Sequence, residues 1–135
     1  MKISDFRRKI EDWEMNKFDL EERLIWFSVR IIELSNHLPD TNAGNHLSGQ
    51  IVRSGTSPAL NYGEAQSAES PRDFVHKMGV CLKELRETFI NIKIIKYGNL
   101  TENKTLLDWC FNENNELISI FVKSIETAKK NNSKK

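Results

Sequence analysis

Asp73 and His76 are three residues apart, a spacing that puts a carboxylate and an imidazole on one face of a helix and matches half of the element that holds iron in helical bundles. Such a centre needs the element twice, with two further inward glutamates, and the second copy is missing. The other histidines, His37 and His46, flank a turn signal, and no serine or cysteine recurs with a histidine and an acid in a pattern that would activate a nucleophile. A glycine-rich phosphate loop is also missing. Cys81 and Cys110 lie in separate apolar segments without the short spacing of a zinc or redox motif, and read as buried, reduced thiols. The expectation is a protein that is not an enzyme, with no metal site and no cofactor.

The most informative polar pattern is Gln50, Arg53, Ser57, Asn61 and Glu64, spaced three, four, four and three apart, so that on a helix they form one line beside the core face. Arg53 and Glu64 are eleven residues apart, roughly 16 Å along a helix axis, and cannot pair with each other. Each needs a partner on another helix, on another subunit or in a ligand, because a partly buried charge left alone is costly. Two readings stand: hydrogen bonding that fixes packing, and ligand binding.

The cations offer a second kind of chemistry, phosphate binding. Arg72, Lys83, Arg86 and Lys93 fall within about one quadrant of a helix, a modest basic strip that Glu87 partly neutralises. Near the C-terminus Lys123, Lys129, Lys130, Lys134 and Lys135 face only Glu126, and make either a solubilising end or a weak nucleic-acid arm. Trp13, Trp26 and Trp109 have faces on which bases could stack, although isolated tryptophans more often anchor cores and interfaces. The formal net charge is only +1, so any contact with nucleic acid must come from local clustering.

The elements that position these residues are helices. With 135 residues the chain suits one domain with one core. It shows no strand-like alternation, and apolar residues recur at helical spacing in four blocks separated by turn signals. Helices are expected over about 20–38, 45–67, 71–97 and 102–130, preceded by an extension over 1–19 and followed by a disordered tail over 132–135. Short connections between long amphipathic helices predict an all-α, antiparallel, up-down-up-down bundle. The residues before Asp19 mix charges without a continuous apolar stretch, unlike a signal peptide, and no later apolar run approaches the roughly 20 residues of a membrane span, so a cytoplasmic protein is expected.

In the first block Leu20, Leu24, Phe27, Ile31, Leu34 and Leu38 share a stripe that Pro39-Asp40 ends. The second carries Leu47, Ile51, Gly55, Pro58, Tyr62 and Ala65, a small-residue face that admits a close neighbour, with a kink expected at Pro58. The third begins with Ser70 as N-cap, Pro71 in the first position and Asp73 completing a capping box, and should end at Gly98. The fourth opens at Thr101 and places Leu107, Cys110, Phe111, Asn114, Leu117, Ile118, Phe121 and Ile125 on its stripe. In the extension, Phe6, Ile10 and Trp13 are set to pack on the bundle or a neighbour.

Two helices carry more apolar residues than one core absorbs. Ile25, Val29 and Ile32 in the first, and Val80, Ile90 and Ile94 in the third, point well away from their main stripes and predict an interface between copies of the chain.

The polar line also carries a family resemblance. Leu47-Ser48-Gly49-Gln50-Ile51-Val52-Arg53-Ser54-Gly55-Thr56-Ser57, then Asn61-Tyr62-Gly63-Glu64-Ala65, and further on Ser70, Asp73-Phe74, Lys77 and Glu84-Leu85, resemble the four-helix-bundle proteins encoded in 23S rRNA intervening sequences. The likeness covers roughly residues 19–120. It implies a left-handed four-helix bundle, assembly as a homopentamer with a central channel, and association with rRNA or other nucleic acid. A related branch, the accessory proteins of diversity-generating retroelements, joins a reverse transcriptase and binds nucleic acid through a basic surface; neither branch is catalytic by itself. Two features depart from the pattern: Pro58 stands one position before the usual proline, and the chain is nearly neutral where the retroelement proteins are strongly basic. Two functional expectations follow, an oligomeric, RNA-binding bundle and a protein-interaction scaffold with no nucleic-acid role.

Overall fold

The computed structural model describes residues 20–133, and the expected extension, with Phe6, Ile10 and Trp13, and Lys134 and Lys135 lie outside them. Four helices follow one another: α1 Leu20–Asn36, α2 Asn42–Gln66, α3 Pro71–Tyr97 and α4 Lys104–Ser133. No strand occurs among the described residues.

The helix ends follow from local chemistry. After α1 the chain tightens, with His37 N donating to Leu34 O at 3.0 Å and Leu38 N to Ser35 O at 3.3 Å, so regular helix stops at Asn36 instead of 38. Thr41 then caps α2, its side chain accepting from Gly44 N at 3.0 Å, which starts that helix three residues before the expected 45. A Cβ on Gly44 would stand 1.9 Å from Pro39 O, so only glycine lets the turn fold back on itself here.

Ser70 caps α3 as expected, accepting from Asp73 N at 3.0 Å; the Asp73 carboxylate accepts from Glu69 N at 3.3 Å, one residue earlier than a regular capping box. Beyond α3 the positive φ of 52° belongs to Asn99, while Gly98 keeps a right-handed conformation. Helix α4 begins at Lys104, because Asn103, not Thr101, caps it by accepting from Leu106 N at 3.1 Å. It continues to Ser133, so residues 132 and 133 are helical where a disordered tail was expected.

Contacts between consecutive helices run in opposite order. Ser28 reaches Gly55 and Ser35 reaches Ser48 across α1 and α2. Thr88 meets Ser54 and Cys81 meets Pro58 across α2 and α3, and Asn114 meets Leu85 while Phe111 meets Phe89 across α3 and α4. Helix α1 closes on α4, and the backbones of α1 and α3 do not come close to each other, so these two helices occupy opposite corners. The core fills the middle with Leu24, Phe27, Ile31, Ile51, Met78, Leu85, Ile92, Leu117 and Phe121, all essentially inaccessible to water. Each such side chain contributes about 1.5–3 kcal/mol through burial.

Pro58 is buried inside α2 and does not end it; the Cys81 thiol donates to its carbonyl at 3.6 Å. At Gly55 the backbone comes so close to α1 that a Cβ would lie 2.6 Å from Ile31 Cγ2, which is how the small-residue face draws the two helices together.

Candidate functional site

The polar line on α2 forms, but its members separate into different roles. Gln50, Ser57 and Asn61 are half-buried, whereas Arg53 and Glu64 are exposed. Asn61 Nδ2 turns back within the helix, donating to Ser57 Oγ at 2.8 Å and Ser57 O at 3.1 Å. Arg53 faces α3, with Nη1 3.6 Å from Glu84 Oε2 and Nη2 3.6 Å from Glu87 Oε2, distances of ion pairing without a direct hydrogen bond. The Arg53 side chain is 64% exposed, so the expectation of a partly buried charge does not hold at this position.

Glu84 is the unusual member of this group. Its side chain is 13% exposed, and Oε2 has no hydrogen-bond partner among the described residues. Burial pushes its pKa above the ordinary carboxylate range; the Glu87 charge pushes it further, and Arg53 and then Lys83 act in the other direction.

A second polar layer, which the sequence did not announce, lies inside the bundle. Arg23 and Glu113 form a buried two-point contact across the α1–α4 seam, with Glu116 3.0 Å from the same guanidinium. Arg30 pairs with Glu33 at 2.8 Å and lies over the Trp109 ring. The Ser54 and Thr88 hydroxyls meet at 2.9 Å, and Asn114 Nδ2 donates to Leu85 O at 3.1 Å. The signal for this layer is a polar residue one position off an apolar stripe: Arg23 beside Leu24, Arg30 beside Ile31 and Ser54 beside Gly55. Cys81 and Cys110 are buried, and burial pushes both thiols up to about 12.

The structure divides the cations into three groups. Lys83 and Arg86 line an open groove on the outer side of α3 with Gly79, Leu82, Glu87 and Ile90. The groove exists partly because Gly79 has no side chain, and a Cβ there would meet open space. Lys93 is half-buried, its ammonium 4.7 Å from the Phe89 ring centre. Arg72 is exposed at the opposite end of α3 from Lys93. Carried along both helices, the Leu85–Asn114 and Phe89–Phe111 contacts bring Arg72 level with the stretch from Glu126 to Lys130, so that Arg72, Lys129 and Lys130 share one end of the bundle. Asp73 at that end is engaged by Lys77 at 3.3 Å.

Among the described residues nothing covers the apolar rows. Ile25, Val29 and Ile32 on α1 and Ile90 and Ile94 on α3 are exposed, and Tyr97, 77% exposed, extends the α3 row. Val80 is half-buried, against expectation: ten residues from Ile90, it stands about 80° round the helix and outside the row. Leu60 on α2 is also exposed and belongs to neither row. Among the described residues no group of three His, Cys, Asp or Glu side chains is placed to hold a metal ion, and no helix is long and apolar enough to cross a membrane.

The family model of the 23S rRNA-intervening sequence protein matches residues 16–123. The chain belongs to that family. Among solved structures, a protein of unknown function from the S23 ribosomal protein family of Bacteroides thetaiotaomicron is 30% identical, with a TM-score of 0.68 over 78% of this chain and 96% of that one. There is no significant match among curated proteins. The family match spans the polar line, the buried Arg23–Glu113 pair and both apolar rows, and so covers the features that shape this bundle.

Proposed function

We propose that this member of the family is a non-catalytic, cytoplasmic bundle that assembles with copies of itself and binds structured RNA at the rim of the assembly. The observation that carries the reading is that the α3–α4 register puts Arg72, Lys129 and Lys130 at the same end of the bundle, on a molecule whose rows on α1 and α3 leave large apolar side chains exposed. Glu69 and Glu126 are exposed near that end as well, so one copy presents only a weak attractive field to phosphate. Repetition around an oligomer turns three cations into a ring, and effective concentration then raises affinity without any new contact. The family resemblance supports a homopentamer as the form of that oligomer.

The reading as a non-enzyme is supported by how the polar groups are used. Arg23 with Glu113, Ser54 with Thr88 and Asn114 with the Leu85 carbonyl fasten helices to one another, so these polar groups serve packing.

An electrophoretic shift assay on fragments of 23S rRNA, repeated at several salt concentrations, tests the proposal. The expected result is a shift at low salt that weakens steeply as salt rises, with a shallower salt slope when Arg72, Lys129 and Lys130 are replaced by glutamate. No shift at low salt overturns RNA binding. A monomeric mass by light scattering overturns assembly.

A further inference from the structure

The two uncovered rows sit on helices at opposite corners of the bundle and differ in charge. On α1 the row Ile25, Val29, Ile32 is preceded by Glu21 and Glu22, all exposed. On α3 the row Ile90, Ile94, Tyr97 is preceded by Lys83 and Arg86, also exposed. The α1 row is therefore flanked only by carboxylates, Glu21 and Glu22 before it and exposed Glu33 beside Ile32, whereas the start of the α3 row carries two cations, Lys83 and Arg86, against one carboxylate, Glu87. The spacings match as well: Glu22, Ile25, Val29 and Ile32 are three, four and three apart, and Arg86, Ile90, Ile94 and Tyr97 are four, four and three apart.

Resting on the assembly reading above, we infer that the α1 row of one copy docks in the α3 groove of the next. The two helices run parallel there, with Glu22 beside Lys83 and Arg86, Ile25 beside Ile90, Val29 beside Ile94, and Ile32 beside Tyr97. Parallel packing agrees with the fold, since α1 and α3 are each antiparallel to α2 and so point the same way. Copies related by rotation about an axis along the bundle keep that direction.

A two-fold contact of α1 with α1 leaves the α3 row in water, and one of α3 with α3 leaves the α1 row. One α1–α3 interface, repeated head to tail, covers both rows and generates a ring when the rotation closes. It also buries carboxylates against cations, which fixes register and suppresses the like-charged alternatives. Lys83 and Arg86 then serve the interface, and RNA contact falls to the cations at the rim.

Mixing two variants tests this pairing. Ile32→Asp disables the α1 row and Ile90→Asp the α3 row, both at exposed positions where circular dichroism will report an intact fold. Light scattering is expected to find each variant monomeric alone, and an equimolar mixture to form a heterodimer of twice 15.7 kDa and nothing larger, since only one competent face of each kind remains. Glu22→Lys and Arg86→Glu should each weaken assembly of the full chain, and the two together in one chain should restore it.

An oligomeric wild type in which Ile32→Asp leaves the mass unchanged, or in which either variant dimerises alone, overturns the α1–α3 pairing and leaves self-assembly standing. A monomeric wild type overturns assembly and the pairing together.

Discussion

Arg23 and Glu113 meet across the seam between α1 and α4, Nε and Nη2 donating to the two carboxylate oxygens at 2.8 and 2.7 Å. Both side chains are at most 7% exposed. Burial works against the guanidinium charge, and the bonds and field of Glu113, followed by those of Glu116, outweigh it, so that the Arg23 pKa is raised. Removing one partner strands the other charge inside the protein. Glu113→Ala is expected to cost roughly 3–5 kcal/mol in urea unfolding, and Glu116→Ala, at the solvent side, under about 1 kcal/mol. Replacing both Arg23 and Glu113 with methionine and leucine should recover most of the loss.

Glu84 makes stability depend on pH in a definite direction. Its pKa is raised in the folded protein, by burial first and the Glu87 charge second, so the native state holds the proton more tightly than the unfolded chain. The contribution is complete below the ordinary carboxylate range and is lost as pH rises through the raised pKa. Glu84→Gln should therefore melt above wild type at neutral pH, with the gap closing in acid. Arg53→Ala removes an influence that lowers the Glu84 pKa, and should widen the pH dependence while costing under about 1 kcal/mol, because the Arg53 side chain is 64% exposed. Melting temperature across a pH series checks both.

Gly55 sets how closely α1 and α2 approach. A methyl group there meets Ile31 Cγ2 at 2.6 Å and Cβ at 3.2 Å, and Ile31 is fully buried with no free direction to retreat. Gly55→Ala is expected to destabilise by about 1–3 kcal/mol. In combination with Ile31→Ala it should cost less than the two changes added, because the second relieves the overlap made by the first; denaturant midpoints of the four proteins measure this coupling.

Cys81 and Cys110 are expected to resist a disulfide reagent in the native protein at mildly alkaline pH and to react promptly after unfolding. Both thiols are buried and pushed up to about 12, so almost no thiolate is present to attack. Absorbance of the released reagent, followed with and without denaturant, gives the comparison.

Much of this fold could be read from the chain because its strongest signals are periodic or local. Leu24, Phe27, Ile31 and Leu34 recur at helical spacing and are all buried, and Ser70-Pro71 marks the start of α3 correctly. Reading failed where two local signals competed. Thr101 looked like the cap of α4, yet its hydroxyl accepts from Asn103 N and the neighbouring asparagine takes the capping role. It failed again where the partner is remote, since nothing near Arg23 in sequence points to Glu113. The α2 line was visible as a line, but its exposure depends on where α3 lies, which is why Arg53 proved open to water and Asn61 turned inward on its own helix.

The α1–α4 seam also bears on the order in which the bundle forms. The contacts of α1 with α2, α2 with α3 and α3 with α4 each close a short loop, whereas Arg23 and Glu113 must meet across 90 residues of chain. Loop-closure entropy therefore places this seam after the hairpins have formed, on the native side of the folding transition state. A weakened seam should leave the refolding arm of a chevron in place and raise the unfolding arm, so that the pair governs how long a folded molecule lasts more than how quickly it is made.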